Sequence, residues 1–480
     1  MCLCRKARAR EGKSSVLPVA SFALRHRRCS VKVVYPRCAG LDVHKKGVHV
    51  CVRIRPTGSN KIRTEFAQFA TFYEDVERLH EFLRKHKVRR VVIESTGVYW
   101  MPIWNVLERM TWKYDLVLVN PQHVRALPGR KTDQQDCERL AELGQYDMLR
   151  GSFIPPVEIR ALRDLTRRRA ALQQDWNRLV NRVGRLLETA NIKLGSVMSS
   201  LTSKTGMAML EAIARGVWDR ERLADLAQGS LKDKKLELIR ALPERCSDHF
   251  RWLLRELLDE LDTLENRRLK VEARIRHDME PYAVQIRNLC TIPSVSEITA
   301  WTLIAELGVN MSQFPDPAHC ASWAGLCPGN SESAGKRQSG RTRKGNRYLR
   351  RALVQNAWAV AHIKDENPLT DLFYRIAGRH GMKKAAVAVA HRVLVIAYCV
   401  LRDGSCWKGP AVGRRKHVQK ARRLMRRLAR MGFPVQPARR ADAASPDECK
   451  KCAAWGIPCM HAWNPIFQRR KVRKVENQTT

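Results

Sequence analysis

The stretch that decides the fold spans residues 38–54 and reads Cys38-Ala-Gly-Leu-Asp-Val-His-Lys-Lys-Gly-Val-His-Val-Cys-Val-Arg-Ile54. Its first seven residues are apolar apart from Asp42 and the terminal His44, and this pattern predicts a buried strand. From Gly47 onward, apolar and polar residues alternate, which predicts a second strand beside the first. The short Lys-Lys-Gly segment between them predicts a tight turn. The ordered chain therefore begins with a hairpin that carries an acid in a buried strand.

The residues after this hairpin alternate between strand and helix patterns. Strands are predicted at 65–70, 88–95 and 116–120, and helices at 76–86, 99–109 and 132–149. Paired strands followed by strand–helix alternation predict an α/β domain with a mixed sheet. We expect this domain to occupy residues 33–154 and to follow a basic, disordered arm at residues 1–32.

A different pattern begins at Pro155, where apolar residues recur at heptad-like spacing and basic residues fill the faces between them. The two apolar series are Leu165, Leu172, Trp176, Leu179, Val183 and Leu186, then Leu254, Leu257, Leu261, Leu264, Val271 and Ile275. They predict two long amphipathic helices within residues 155–284. Either an antiparallel or intersubunit coiled coil or an ordinary helical bundle would satisfy this spacing.

Residues 285–408 are predicted to form a small, mostly helical domain. Its most apolar stretch, residues 384–401, has His391 and Arg392 at its centre. A membrane span needs about 20 mainly apolar residues, so we interpret this stretch as a buried helix and expect no membrane contact. Residues 409–480 form a basic tail, whose arginine run between 414 and 430 is either a phosphate-tracking segment or a solvated helix face.

Charge indicates the class of partner. The chain has 480 residues, with 89 Lys and Arg against 47 Asp and Glu, and its net charge is +42. Such an excess is tolerated mainly when a polyanion neutralises it, which favours nucleic acid over a membrane surface. No secretory signal is recognisable, and the cysteines are mostly scattered singly. We therefore expect reduced thiols and a cytoplasmic, nucleoid-associated protein.

Four acidic residues indicate a metal site. Asp42 lies within one strand, Glu94 ends another, and Asp133 and Asp136 face the same way on one helix. Carboxylates at strand ends converge outside an α/β sheet, and four of them would repel unless a cation held them together. Oxygen ligands select Mg²⁺ or Mn²⁺, and two such ions can clamp both oxygens of a phosphoryl displacement. The alternative is that Asp42 is a turn or edge residue and Asp133 a first-turn acid capped by Thr132.

A second informative segment, residues 325–346, is rich in glycine, serine and basic residues. Its composition predicts an irregular, phosphate-binding loop. The predicted phosphate contacts are Lys336, Arg337, Arg341, Arg343 and Lys344. A P-loop is excluded, because five residues separate Gly329 from Gly335 and Arg337 follows Lys336. A serine in this loop could attack a phosphodiester if activated, although most such serines only make hydrogen bonds.

Just upstream, residues 289–308 resemble one half of a helix–hairpin–helix DNA-binding element. The turn of that element usually reads Gly-Val-Gly, which gives backbone amides close access to a phosphate. Here Ser294 and Ser296 replace both glycines. The turn is therefore either a weakened phosphate contact or a purely structural turn.

Four motifs together resemble the insertion-sequence-110 family of DEDD transposases, in the family's order and spacing. They are Ala39-Gly-Leu-Asp-Val-His-Lys45, Val91-Val-Ile-Glu-Ser-Thr-Gly-Val-Tyr-Trp100, Pro128-Gly-Arg-Lys-Thr-Asp-Gln-Gln-Asp136 and Trp323-Ala-Gly-Leu-Cys-Pro-Gly-Asn-Ser-Glu-Ser-Ala-Gly-Lys336. The resemblance covers about Val33 to Asp403. It implies an RNase H-like, RuvC-like domain joined through a coiled coil to a smaller transposase domain. It also implies metal binding by Asp42, Glu94, Asp133 and Asp136 and a catalytic serine at Ser333.

The same resemblance implies a mechanism and partners. The implied mechanism is similar to recombination through a covalent phosphoserine. The implied guide is an element-encoded bridge RNA that pairs with donor and target DNA. It implies a homo-oligomer, a dimer or tetramer, in which different subunits supply the metal domain and the serine. Two features depart from the family: the serines in the hairpin turn and the arm at residues 1–32. The alternatives are a non-catalytic nucleic-acid-binding protein and a metal-dependent nuclease without strand transfer.

The C-terminal tail carries a cysteine cluster. Cys449 and Cys452 form a C-x-x-C pair, and Cys459 and His461 follow closely. Four soft ligands at this spacing predict either a structural Zn²⁺ site or, alternatively, free thiols.

Overall fold

A computed structural model describes residues 33–56, 61–95, 97–121, 133–329, 331–333, 336–363 and 367–409, together with Arg427 and Met431. The predicted arm at 1–32 and nearly all of the tail lie outside the described residues, as do Cys449, Cys452, Cys459 and His461. The chain divides into two compact units between Val271 and Glu272.

The first unit begins with a five-stranded mixed sheet in the order β3-β2-β1-β4-β5. Its strands are β1 (Arg37–Val43), β2 (Gly47–Ile54), β3 (Arg63–Ala70), β4 (Arg90–Glu94) and β5 (Asp115–Val119). The first three pair antiparallel, whereas β4 is parallel to β1 and β5 is parallel to β4. The prediction of an N-terminal α/β domain with a mixed sheet is therefore confirmed. The carboxyl ends of β1 and β4 meet at one edge, where Asp42 and Glu94 lie.

Helices cover both faces of this sheet. Helices α1 (Tyr73–Lys85) and α2 (Trp100–Arg109) pack on the face that includes Leu41 and Ile93. Helix α3 (Asp133–Gln145) packs on the opposite face. Alternation along β1 puts Gly40 and Asp42 on the face that α3 covers.

A helical region completes the first unit. Its helices are α4 (Val157–Thr189), α5 (Leu194–Val197), α6 (Lys204–Ala214), α7 (Arg220–Asp225), α8 (Lys235–Arg240) and α9 (Asp248–Asp278), the last of which continues into the second unit. The two long helices, α4 and α9, are those that the heptad-like spacing predicts. Leu179 of α4, Met209 of α6 and Leu254 of α9 belong to one hydrophobic core, which is the packing of a helical bundle. Association through a coiled coil stays a prediction.

The second unit is mostly helical, as predicted. It contains α10 (Ala283–Cys290), α11 (Glu297–Leu307), α12 (Pro317–Trp323), the short strands β6 (Ser331–Ser333) and β7 (Lys336–Ser339), α13 (Arg347–Ala361), α14 (Pro368–His380) and α15 (Met382–Asp403). Among the residues described, α15 is the one helix long and apolar enough to cross a membrane. Of its apolar 18-residue stretch, 56% is buried inside the protein. Its buried side chains pack with α12, α13 and α14.

The prediction that residues 325–346 are irregular is wrong for the part of this segment that the structure describes. Strands β6 and β7 pair antiparallel, with Ser333 opposite Lys336. Pro328 and Thr342 form a further bridge, and the Gly329 amide donates a 2.8 Å hydrogen bond to the Arg341 carbonyl. The ladder needs only backbone donors and acceptors, so it forms here although the segment has no alternating apolar residues. We call residues 325–346 the serine hairpin.

Candidate metal centre and serine hairpin

The acidic edge of the sheet brings together side chains from β1, β2 and α3. Asp42 is 5% exposed, and its neighbour Leu41 lies opposite Ile93 of the parallel strand β4. Glu94 follows Ile93, so the pleat places it on the same face as Asp42. Helix α3 begins with Asp133 on that face, and Asp136 follows within its first turn.

The distances define a compact group. One ligand atom each from Asp42, His44 and Asp133 lie within 4.8 Å of one another. His44 Nε2 is 3.1 Å from Asp42 Oδ2 and 3.7 Å from Asp133 Oδ1. His49 Nε2 is 3.5 Å from Asp133 Oδ2. We call Asp42, His44, His49, Asp133 and Asp136 the acidic cluster.

The pKa of the Asp42 carboxyl is shifted by its burial and by its charged neighbours. Burial raises the pKa of the Asp42 carboxyl, and the negative charges of Asp133 and Asp136 raise that pKa further, whereas His44 lowers it. Asp136 is therefore close enough to act on Asp42. A buried carboxylate beside two others is stabilised by a nearby cation, and carboxylate oxygens with imidazole nitrogens are suitable ligands for a divalent ion. The residues present thus fit the ion that the family resemblance implies.

The sequence predicts the four acids as a metal site, which stays a prediction, but the two histidines beside Asp42 and Asp133 were not among the predicted site residues. The tight turn after β1 sets Val43 opposite Val48, and this register places His49 opposite Asp42. The available signal was therefore the hairpin length, which fixes register. His44 follows the last residue of β1 and lies two residues after Asp42, and its ring reaches the Asp42 carboxylate.

Helix α3 is fixed in place by a glycine contact and a polar network. A Cβ atom at Gly40 would lie 2.1 Å from the Cys137 carbonyl oxygen, so α3 can lie this close only because Gly40 has none. Buried Arg53 donates to Gln145 Oε1 at 3.3 Å and to Glu138 Oε1 at 3.0 Å. Gln145 Nε2 donates in turn to the Arg53 carbonyl at 3.1 Å. These contacts hold the helix that presents Asp133 to Asp42.

The serine hairpin has an anchored base. Gly325 has a φ of +70°, and a Cβ on it would lie 2.9 Å from the Gly345 amide nitrogen. Asn346 Nδ2 donates a 2.6 Å hydrogen bond to Glu306, whose side chain is fully buried. Asn346 Oδ1 accepts from the amides of Tyr348 and Leu349 and so caps α13.

The predicted serine and phosphate contacts lie along this hairpin. Ser333 is the last residue of β6, and Lys336 and Arg337 begin β7. On the returning side, Arg341, Arg343 and Lys344 are exposed. The hairpin therefore arranges the backbone positions of the predicted nucleophile and basic residues on one ribbon.

The turn between α10 and α11 keeps the shape of a glycine turn without the glycine. Ser294 has a φ of +65°, in the region that favours glycine. The Ser296 hydroxyl accepts a hydrogen bond from the Thr299 amide and caps α11. Because its hydroxyl serves the helix end, Ser296 supports the structural interpretation of this turn.

Comparison with known proteins identifies the family. Residues 39–192 match a model described as "Transposase", for DEDD transposases of the IS110 type, and residues 286–375 match the "Transposase IS116/IS110/IS902 family". The chain is 25% identical over 339 residues to the "Probable family 20 transposase" of Pseudomonas aeruginosa, covering 69% of this chain and 89% of that protein.

It is also 30% identical over 156 residues to the "Insertion element IS110 uncharacterized 43.6 kDa protein" of Streptomyces coelicolor, covering 32% of this chain and 37% of the relative. The first match contains the acidic cluster, and the second contains the serine hairpin. With both domain types present in one chain, this protein belongs to the IS110 family of transposases.

Proposed function

We propose that the chain moves an insertion sequence by cutting and joining DNA with divalent metal ions and a serine nucleophile. Asp42, Glu94, Asp133 and Asp136 would hold the ions, and Ser333 would attack the DNA. The observation that carries this proposal is the convergence of Asp42 and Asp133 beside His44 within the DEDD-type domain. When bound, Mg²⁺ or Mn²⁺ would supply positive charge to the phosphodiester and its leaving oxygen.

In the proposed reaction, the Ser333 hydroxyl loses its proton and Oγ forms a bond to a DNA phosphorus atom. One DNA oxygen leaves and takes up a proton. A DNA hydroxyl then displaces the serine oxygen, which restores Ser333 and joins the strands. Each step exchanges one phosphoester for another, so no external energy source is needed. Arg341, Arg343 and Lys344, with Lys336 and Arg337, would contact the flanking phosphates.

The assembly we propose follows the family resemblance. Residues 33–154 form the RuvC-like domain, 155–284 a helical region that associates through a coiled coil, and 285–408 the transposase domain. A bridge RNA pairs with donor and target DNA, and subunits of a dimer or tetramer share active sites. The net charge of +42 supports simultaneous binding of an RNA and two DNA molecules, all of which are polyanions. The protein would act on DNA in the cytoplasm, and a zinc site in the tail would stabilise its contact with nucleic acid.

The proposal is tested by recombination in cells that carry donor DNA, target DNA and the RNA flanking the element. Wild type is compared with Asp42→Ala and Ser333→Ala, and Ser339→Ala serves as a matched control in the same hairpin. We expect both site variants to lose recombination and the control to keep it. A covalent protein–DNA adduct should form in the wild type and disappear in Ser333→Ala. A wild type that is inactive with every flanking RNA would favour a non-catalytic binding protein.

A second candidate function is a metal-dependent nuclease without strand transfer. The acidic cluster lies entirely within the first unit, so hydrolysis could proceed without the serine hairpin. This candidate predicts that Ser333→Ala retains DNA cleavage while Asp42→Ala loses it.

A further inference from the structure

The two histidines of the acidic cluster differ in how they meet the carboxylates. His44 Nε2 lies 3.1 Å from Asp42 Oδ2 and 3.7 Å from Asp133 Oδ1, so one ring nitrogen reaches both acids. His49 Nε2 lies 3.5 Å from Asp133 Oδ2, the other oxygen of that carboxylate. The three residues with ligand atoms within 4.8 Å of one another are Asp42, His44 and Asp133. His44 is therefore the histidine placed to share an ion with the two acids.

The separations of these atoms match the spacing of ligands around one divalent ion. Neighbouring ligands of an octahedral ion, each about 2.1 Å from the metal, lie about 3.0 Å apart, and opposite ligands lie about 4.2 Å apart. The 3.1 Å between His44 Nε2 and Asp42 Oδ2 is the spacing of neighbouring ligands. The 3.7 Å between His44 Nε2 and Asp133 Oδ1 lies between the two values. An ion of this size therefore fits with small adjustments of the three side chains.

The turn that carries His44 is fixed by two hydrogen bonds. The His44 amide donates to the Gly47 carbonyl at 2.9 Å, which closes the turn between β1 and β2. Thr71 Oγ1 donates to the Lys45 carbonyl at 3.1 Å, which ties the turn to the end of β3. The side chains of His44 and Asp133 are 47% and 51% exposed, so the group is open on the side away from buried Asp42. Such an opening leaves coordination positions for phosphate oxygens.

We propose that His44 binds one of the metal ions together with Asp42 and Asp133, and that its nitrogen makes this site prefer Mn²⁺ to Mg²⁺. Mg²⁺ takes oxygen ligands, whereas transition-metal ions accept imidazole nitrogen, and Mn²⁺ also suits carboxylates. When the ion binds, the ring proton of His44 resides on Nδ1 and Nε2 presents its lone pair. His49 is then a positioning residue that holds Asp133 through its other oxygen. The inference rests on the proposed function in requiring that the acids bind a divalent ion.

The test measures Mn²⁺ binding to the metal-free full chain by electron paramagnetic resonance, with Mg²⁺ as the competitor. The pulsed form of this measurement detects the coupling of Mn²⁺ to a directly bound nitrogen. We expect the wild type to show nitrogen coupling, His44→Gln to lose it, and His49→Gln, the matched control, to keep it. The affinity for Mn²⁺ should fall at least about tenfold in His44→Gln, while the affinity for Mg²⁺ should change less.

A second variant, His44→Asp, replaces the nitrogen ligand by an oxygen ligand. It should lower the ratio of Mn²⁺ affinity to Mg²⁺ affinity, a change that a merely structural role of His44 would not produce. Bound Mn²⁺ without nitrogen coupling in the wild type would overturn the inference, as would coupling that survives in His44→Gln or disappears in His49→Gln. These results would leave the proposed function standing, because the acids would still hold the ion. A wild type that binds no Mn²⁺ would remove both the inference and the metal-dependent part of the proposed function.

Discussion

Asp42 occupies an electrostatically unfavourable position when no cation is bound. Its carboxyl is nearly buried, and Asp133 and Asp136 add negative charge, so its pKa is raised. An acid whose folded-state pKa lies above its unfolded value destabilises the folded state at pH values above both. At neutral pH, we expect Asp42→Asn to raise the melting temperature of the metal-free protein by a few degrees, roughly 2–4 °C for each kcal/mol.

A bound metal ion should reverse this order of melting temperatures, so that the wild type becomes more stable than Asp42→Asn. A divalent ion that binds only the folded wild type stabilises it, and Asp42→Asn should lose that response. Thermal unfolding with a chelator and then with Mn²⁺ measures both effects. Asp259→Asn, an exposed carboxylate on α9, controls for loss of one charge. A stabilisation by Mn²⁺ that survives in Asp42→Asn would remove Asp42 from the ligand set.

We expect Glu306 to position the base of the serine hairpin. Its buried carboxylate accepts from Asn346 at the point where the hairpin meets α13. Glu306→Leu should leave this amide unpaired, lower the free energy of unfolding by about 1–3 kcal/mol and speed proteolysis within residues 325–346. Glu306→Gln keeps an acceptor oxygen and should behave much closer to wild type. Urea unfolding and limited proteolysis measure the difference between the two variants. Equal effects in Glu306→Leu and Glu306→Gln would contradict the role of the hydrogen bond.

At the scale of elements, the docking of α3 determines whether Asp133 reaches Asp42. Gly40→Ala would place a Cβ 2.1 Å from the backbone of α3, so the helix must move. We expect a loss of about 1–3 kcal/mol in stability together with weaker Mn²⁺ binding. Gly47→Ala is the matched control, because its nearest neighbour would be 3.4 Å away. The free energy of unfolding and the affinity for Mn²⁺ are measured for both variants. Equal losses in Gly40→Ala and Gly47→Ala would contradict the tight docking of α3.

The elements also show which parts of the fold can be predicted from sequence. Alternating strands and amphipathic helices in residues 33–154 are set by local period, so their order and type were predicted correctly. The serine hairpin was missed because it has no apolar face and its ladder uses backbone groups alone. Heptad-like spacing predicted α4 and α9, but the same spacing serves a bundle and a coiled coil. The core shared with α6 shows bundle packing within the chain, and association through a coiled coil stays a prediction. The positions of His44 and His49 beside the acids could be predicted only from the strand register, which single residues do not reveal.

For the whole molecule, composition predicts the partner but not the assembly. A charge of +42 indicates nucleic acid from the sequence alone. The oligomer that we propose would depend on surfaces that no periodicity in the sequence specifies. The division of the chain between Val271 and Glu272 nevertheless bears on the proposed function, because the acidic cluster belongs to one unit and the serine hairpin to the other. Active sites shared between subunits are therefore testable with two inactive variants.

In Asp42→Ala the serine is intact, and in Ser333→Ala the acids are intact. If one active site takes its acids from one subunit and its serine from another, a mixture of the two variants contains some complete sites. We expect each variant alone to give no recombination and their co-expression to restore a measurable fraction of wild-type activity. Co-expression of wild type with the Asp42→Ala, Ser333→Ala double variant measures how far mixed oligomers tolerate dead sites. If that control mixture is active and the pair of single variants is not, the acids and the serine of each site come from the same chain.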